Sequence, residues 1–529
     1  MEKLRNRSAG PAALAALAGV VAAAVVLAVA ELVGAFFTAR AAPLFALGST
    51  FIDFTPPWLK DFAIATFGTN DKAALFAGMG LTIAVLACVL GVVAYRKWAL
   101  GVLGVLFMGA VIVACVVTRA GVGWSNAVPA LAGTAAGLAA LRLLLAPLRQ
   151  ATAWPEAPAD QAADDDGGWR ESGGTSRRRF FAATGITAAA AGVAALGGRL
   201  LGAARSNAAR SRDALRLPAP AKAAPAVPPG VQSPVPGVPP WLTPSGDFYR
   251  IDTALSIPEI NPDDWELRVH GLVEQEVTLT FQDLLHADLI ESHVTLTCVS
   301  NPVGGNLAGN AKWLGLPLRE VLARAKPKDG ADMVLSRSID GFSASTPLAV
   351  LQDGRDAMLA IGMNGEPLPL EHGYPVRMVV PGLYGFVSAT KWVVDLEVTR
   401  FADSKAYWTE RGWSERGPIK TMARVDVPRS FAKVPAGKVA VGGTAWAQTR
   451  GIAKVEIQVD NGDWAEATLS AEASTVTWRQ WSYEWDATPG PHYLKVRATD
   501  GTGEVQTEKR ADPVPDGASG WQSVMVTVT

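Results

Sequence analysis

His293-Val294-Thr295-Leu296-Thr297-Cys298-Val299-Ser300-Asn301-Pro302 is the stretch on which the fold of this chain turns. Polar and apolar side chains alternate up to the cysteine, the period of a β-strand. Val299 to Pro302 break the pattern, and Gly304 and Gly305 follow. A cysteine where a strand runs into a Gly/Asn-rich loop is placed to reach a ligand, and its thiolate is a soft donor suited to a transition metal. Of the three cysteines, Cys88 and Cys115 lie in apolar runs and read as packing residues. Cys298 lies alone in the polar half, so no disulfide framework can form there. No zinc-type ligand set stands at a suitable spacing around it.

Working outward, the 529 residues divide sharply. Residues 1–149 read as a four-helix transmembrane unit, with apolar spans near 9–30, 73–94, 98–118 and 122–146. Lys3, Arg5 and Arg7, then Arg96 and Lys97, then Arg142 and Arg149 flank the spans on what the positive-inside rule makes the cytoplasmic side. The stretch 56–67 is expected on the outer surface. Residues 150–179 are an aperiodic cytoplasmic linker. Its end, Ser176-Arg177-Arg178-Arg179-Phe180-Phe181, leads into an uncharged Ala/Gly-rich helix. That order resembles a twin-arginine export signal, with 180–203 retained as an anchor. Such a signal serves a protein that folds, and takes up a cofactor, before export. A fifth ordinary span is the plainer alternative. Residues 204–244, basic and then Pro/Ala-rich, read as an extended tether. The net charge of −1 gives no reason to expect a nucleic-acid partner.

Residues 245–420 mix short strands with helical segments such as 316–325, an α+β pattern. From 421 to 529 only strand signals occur, among them 438–447, 452–459, 464–469, 479–485 and 492–499, with turns at Asn461-Gly462 and Asp500-Gly501. About seven such strands in roughly 100 residues argue a β-sandwich of the immunoglobulin-like kind. The fold class is therefore α+β: a helical membrane unit, a mixed domain and a sandwich.

Several motifs of the polar half are more specific. Thr297-Cys298-Val-Ser-Asn301 is followed by Ala311-Lys312-Trp313-Leu-Gly-Leu-Pro-Leu318. Met363-Asn364-Gly365 leads to His372-Gly-Tyr-Pro-Val-Arg377, then Val380-Pro381-Gly382 and Ser388-Ala-Thr-Lys391-Trp392. Phe248-Tyr249-Arg250 stands upstream, and Gly442-Gly-Thr-Ala-Trp446 and Val455-Glu-Ile-Gln-Val459 stand in the sandwich. In this order the motifs resemble the molybdopterin-dependent oxidoreductases of the sulfite oxidase family, over about 245–529 and not over the membrane unit. The resemblance implies Mo-molybdopterin with one pyranopterin as the cofactor. It makes Cys298 the protein ligand to molybdenum. It puts Asn301, His372, Arg377 and Lys391 in contact with the pterin or its phosphate, and Arg250 on the substrate side. The sandwich would then be a dimerisation domain, giving a possible homodimer. The chemistry of the residues agrees, since a guanidinium suits a phosphate through paired charge-assisted bonds.

Two departures bear on the substrate. The family's arginine pair after the Cys-x-x-Asn segment is replaced by Pro302 and Val303, and the tyrosine it places near the metal corresponds to Phe342. Fewer cations and one donor fewer make a poorer site for a small dianion. A sulfoxide, an N-oxide or a larger organic molecule is as good a substrate expectation as sulfite. All five histidines (270, 286, 293, 372 and 492) lie in the polar half, so the spans cannot offer bis-histidine haem ligation and no haem is expected. Electrons would pass to or from a separate cytochrome or quinone-linked protein. The expected partners are thus a small-molecule substrate, that electron carrier and membrane lipid, with the catalytic part outside the cytoplasmic membrane. The competing reading is a catalytically inactive binding or adhesion module displayed on a membrane stalk.

The export reading is directly testable. Arg177→Lys with Arg178→Lys should leave the first four spans inserted and strand the C-terminal half in the cytoplasm, as read by protease accessibility. Unchanged exposure would show that the fifth apolar helix is an ordinary span.

Overall fold

The structure is a computed structural model that describes residues 2–36, 46–48, 50, 51, 55, 66, 71–118, 124–152, 174–206, 208–254 and 257–529. Nearly all of the expected surface stretch at 56–67, and most of the linker at 150–179, lies outside the described residues. The chain forms two compact units, Met1–Ser206 and Asn207–Thr529.

The first unit contains α1 (Glu2–Gly34), α2 (Asp71–Arg96), α3 (Trp98–Val117), α4 (Val128–Thr152) and α5 (Gly174–Ser206). Each contains, or with the 3-10 turn Trp124–Ala127 forms, a stretch long and apolar enough to cross a membrane, the fifth being Arg178–Gly198. α1 lies against α2, α4 and α5. A Cβ on Gly19 would collide with the Ala87 carbonyl, and one on Gly91 with the Ala15 carbonyl. These glycines therefore let two helix backbones meet, as apolar helices do without a hydrophobic force between them. α4 starts later than the 122–146 pattern, at Val128, with Pro129 in its first turn, where a proline's missing N–H leaves no helical bond unmade. α5 begins ahead of the arginine run. Arg178 and Arg179 are exposed and Phe180 is buried, while the Arg177 side chain lies outside those described.

The second unit opens with a short helix, α6 (Ala208–Ala214). The Pro/Ala-rich stretch beyond it is extended, and it is docked along this unit. Val231, Val235, Val238 and Trp241 are buried. Ser233 N donates to Gln480 Oε1 at 2.6 Å, and Trp241 O accepts from Asn310 Nδ2 at 3.0 Å and Trp478 Nε1 at 2.9 Å. Proline supplies no donor, so side chains of other elements meet this segment's main-chain groups.

Ten strands follow: β1 (Glu266–Gly271), β2 (Val277–Thr280), β3 (Ile290–Thr297), β4 (Ala308–Pro317), β5 (Met333–Ser338), β6 (Ser343–Pro347), β7 (Met358–Met363), β8 (Glu366–Pro367), β9 (Arg377–Val379) and β10 (Val393–Thr399). One sheet has the order β2-β1-β10-β5-β6, and the other β3-β4-β7-β8 with β9 paired to β7. β3 and β4 are antiparallel, with Thr297 opposite Ala308, so the loop carrying Cys298 is the turn between them. Helices α7 (Phe281–Leu285), α8 (Leu318–Ala325) and α9 (Leu348–Gln352) are short. The expected helix at 316–325 loses its first two residues to β4, since Pro317 closes the strand and precedes the helix.

The last part holds β11 (Met422–Val427), β12 (Lys433–Val434), β13 (Gly437–Trp446), β14 (Ile452–Val459), β15 (Trp464–Glu466), β16 (Thr468–Leu469), β17 (Arg479–Ala487), β18 (Gly490–Asp500) and β19 (Gln522–Val528). They make two sheets, β11-β13-β17-β16 and β12-β19-β18-β14-β15. Val441 and Trp481 of the first share a core with Val455, Leu494 and Val526 of the second.

This pair of sheets grips the cysteine strand. Gln448 Nε2 donates to Thr295 O at 3.0 Å and Thr297 Oγ1 at 3.2 Å, and Trp478 N donates to Thr295 Oγ1 at 2.8 Å. Arg424, buried on β11, reaches Gly305 O at 2.8 Å while pairing with Asp426 at 2.7 Å. Removing one partner of a buried ion pair costs about 3–5 kcal/mol. Arg424→Met should therefore destabilise the second unit by about that amount. Denaturant unfolding of residues 207–529 reads it, and a loss below about 1 kcal/mol would show that Arg424 is dispensable to the loop.

Candidate functional site

Cys298 sits at the end of β3, buried, with its N–H bonded to Leu307 O at 2.9 Å. Burial pushes its thiol up, while the Ser300 hydroxyl and the N–H groups of Ser300 and Val299 pull the other way. Ser300 Oγ lies 2.9 Å from Sγ. These donors face the sulfur from its own loop, an arrangement that favours thiolate once a cation is present to repay the desolvation. Asn301 turns inward instead: its Oδ1 accepts from Leu307 N at 2.9 Å and closes the loop. A Cβ on Gly305 would collide with that oxygen, so glycine is required there.

The His372–Arg377 block packs behind an aromatic wall. His372 is buried, and its Nε2 lies 3.0 Å from Ser245 O, which puts the proton on Nε2 and leaves Nδ1 as an acceptor. Burial first, and then the Arg377 charge, push it down to about 4, so it is neutral at physiological pH. Arg377 is buried, with Nε, Nη1 and Nη2 bonded to the carbonyls of Met378, His372 and Ala389 at 3.3, 3.1 and 3.5 Å. Its guanidinium lies 5.1 Å from the Trp313 ring centre. Burial lowers its affinity for a proton to about 10.

Lys391 donates to Asp252 Oδ2 at 2.9 Å and to Glu371 O at 3.1 Å. The same Asp252 oxygen accepts from Arg250 Nε at 2.8 Å. Arg250 is the more exposed of the two and Asp252 is nearly sealed. Burial pushes Lys391 down to about 8, against the pull of Asp252 and with the repulsion of Arg377 and Arg250. The structure thus brings together Arg250, Lys391, Arg377 and His372, and leaves Asn301 as a loop-closing residue.

Two residues were not singled out from the sequence. Asp252 had no signal beyond lying two places after Arg250. Tyr249 stood inside a quoted motif. Its ring stacks on Phe248 at 5.2 Å, and its ionisation is opposed by burial and by Cys298. Phe342, on which the substrate argument rests, packs against Tyr407 with ring centres 6.0 Å apart.

Residues 254–408 match the oxidoreductase molybdopterin-binding domain family. The chain is 28% identical over 317 residues to mitochondrial sulfite oxidase of Homo sapiens, covering 51% of this chain and 58% of that protein. It is 32% identical over 153 residues to the uncharacterized oxidoreductase YuiH of Bacillus subtilis, covering 29% of this chain and 74% of that protein. Among solved structures, the sulfane dehydrogenase SoxCD from Paracoccus pantotrophus aligns with a TM-score of 0.49 at 25% identity, over 54% of this chain and 81% of that one. The chain belongs to the sulfite-oxidase-type family of molybdopterin-dependent oxidoreductases. It spans a little over half the length of the sulfite oxidases it matches.

The residues present fit such a cofactor. Arg377, Lys391 and Arg250 converge with Asp252 as the carboxylate bonded to two of them, and both Arg377 and Lys391 are held below their ordinary values. Buried positive charge short of anions is relieved by an anionic ligand. Among the described residues no three His, Cys, Asp or Glu side chains cluster to hold a bare ion, so a metal at Cys298 needs further ligands from a cofactor.

If Lys391 meets the cofactor's anionic end, it should set the pH dependence of uptake. An anion is attracted by the charged ammonium, so affinity is complete below the value of about 8 in the cofactor-free protein and falls above it. The fall is up to about tenfold per pH unit for one linked proton. Titrating molybdopterin into cofactor-free protein between pH 6.5 and 9.5 should show this slope, and Lys391→Met should flatten it. An unchanged slope in the variant would take Lys391 out of the anion site.

Proposed function

We propose that the chain is an extracytoplasmic, membrane-anchored molybdenum oxidoreductase acting on a small neutral or organic oxo compound. The observation that carries the reading is that the buried thiol of Cys298 and the buried guanidinium of Arg377, which stands in the cation cluster, act on one and the same phenol, Tyr249. When bound, the cofactor supplies a redox metal able to exchange an oxygen atom with a substrate. The rest of the work falls to this chain. Cys298 binds the metal as thiolate, its charge supported by Ser300 and two main-chain N–H groups. Arg377 and Lys391 hold the cofactor's anionic end. Neutral His372 orients it through Nδ1, and the wall of Trp313 and Phe248 keeps water from the cluster. Asn301 acts through the loop it closes. Arg250 stands toward the substrate and is half neutralised by Asp252, which further weakens the case for a dianion.

In this reading the twin-arginine helix, 180–203, carries the folded second unit across the membrane and is retained as its anchor, with the four spans inserted ahead of it. The two C-terminal sheets form an immunoglobulin-like sandwich through which a homodimer can form. The electron partner is a separate cytochrome or quinone-linked protein. Residues 245–420 and 421–529 then serve as catalytic and dimerisation domains.

The test uses full-length protein from a host that makes the cofactor. It should carry about one molybdenum per chain, and Cys298→Ser should abolish turnover. The loss of one or two charge-assisted bonds, at roughly 1.5–3 kcal/mol each, should weaken sulfite binding by about tenfold to about twenty-thousandfold relative to a site that has them. Sulfite turnover should be poor, with a high KM, while sulfoxides or N-oxides are reduced by an artificial electron donor. Protein without molybdenum would overturn the function, and efficient sulfite oxidation with micromolar KM would overturn the substrate class.

A further inference from the structure

Phe342 leaves the site without a hydroxyl at its own position, yet a phenol stands on a neighbouring segment. Thr253 Oγ1 donates to Asp340 Oδ2 at 3.2 Å, and Phe342 N to Asp340 Oδ1 at 3.2 Å, so the entry segment and the Phe342 turn share one carboxylate. Four residues from Thr253 is Tyr249. Its ring is fixed by Phe248, which stacks on it at 5.2 Å and is itself held edge-on between Trp313 at 5.7 Å and His372 at 5.6 Å. A Cβ on Gly309 would strike the Phe248 ring, so the ring packs directly on that glycine's backbone.

The hydroxyl end of Tyr249 points to the metal side of the site. A Cβ built on Gly385 would stand 3.5 Å from Ala389 Cβ, 3.9 Å from Tyr249 Oη and 3.9 Å from the carbonyl oxygen of Thr297, the residue before Cys298. Gly385 has an ordinary backbone there, and its missing side chain leaves open the space these two oxygens face. The Cys298 and Arg377 charges both act on the phenol. Among the described residues the hydroxyl makes no hydrogen bond, and it is not one of the sealed, unpartnered atoms. A tyrosine hydroxyl carried this far into a protein ordinarily finds a partner. Among the described residues none supplies that partner, which leaves the hydroxyl free to donate to a ligand.

We propose that the Tyr249 hydroxyl donates the hydrogen bond that holds an oxygen of the substrate at the Cys298 site, in the role left vacant by Phe342. This rests on the reading of Cys298 as the metal-binding residue. Burial and the nearby sulfur keep the phenol protonated, so it is a donor throughout the physiological range. A neutral donor suits a neutral oxo compound, which offers a polar oxygen without a full charge to neutralise.

The experiment uses full-length holoenzyme and a sulfoxide or N-oxide substrate, with turnover counted per bound molybdenum. Tyr249→Phe should keep its metal content and thiolate-to-metal absorption and lose about a hundred- to a thousandfold in kcat, the range of one preorganised donor. KM should change much less. A second variant carries tetrafluorotyrosine at 249, which keeps the shape but ionises far more readily. Its turnover should fall on the alkaline side, where the wild type stays flat. Wild-type kcat per molybdenum in Tyr249→Phe, or an unshifted pH profile in the fluorinated enzyme, would overturn the proposal. Wild-type protein without molybdenum would instead sink the functional reading beneath it.

Discussion

One carboxylate oxygen organises the site. Asp252 Oδ2 accepts from both Arg250 and Lys391, and Arg377 stands nearby with main-chain carbonyls as its hydrogen-bond partners. Two buried cations, Lys391 and Arg377, with a single carboxylate between them and the exposed Arg250, are costly to hold charged. The cost shows in the lowered values of Lys391 and Arg377. Such an arrangement is poorly satisfied alone and well satisfied with an anion in place. The two basic residues on that oxygen differ in exposure: Lys391 is buried and donates also to the Glu371 carbonyl, and Arg250 stays in solvent.

Around this charge the scaffold is rigid, and much of the rigidity comes from far along the chain. β3 delivers Cys298, but Gln448 and Trp478 hold its main chain and side chains, and Arg424 holds the loop beyond it. The two C-terminal sheets are therefore part of how the thiol is aimed. The Pro-rich segment ending at Trp241 ties β4 and the start of β17 into the same arrangement, through Asn310 and Trp478. A ligand held within a fraction of an ångström needs this kind of surrounding support.

Local pattern made part of this legible in advance. The alternation of 293–297 marked the strand that ends at the cysteine, and the turns at Asn461-Gly462 and Asp500-Gly501 marked strand ends in the last domain, because period and turn chemistry are short-range properties. The five apolar helices were legible for the same reason. The docking of 215–243 was hidden, since its composition is that of a solvated tether and its anchors, Val231, Val235, Val238 and Trp241, follow no helix or strand period. Asn301 illustrates the converse. Its place in a family motif implied cofactor contact and gave no sign that its carboxamide oxygen closes its own loop onto Leu307. Asp252 and Tyr249 were out of reach because their significance lies in what they meet, Lys391 and the wall beside Cys298, more than a hundred and nearly fifty residues away in sequence.

The central claim is that the sulfur of Cys298 is bonded to molybdenum in a site whose buried cations hold the cofactor. Molybdenum K-edge X-ray absorption on the full-length holoenzyme measures this most directly. The account predicts a short molybdenum–sulfur shell that loses one sulfur neighbour in Cys298→Ser while the metal stays bound through the cofactor. An identical sulfur shell in the two proteins would contradict it, because the metal would then be held without this thiolate.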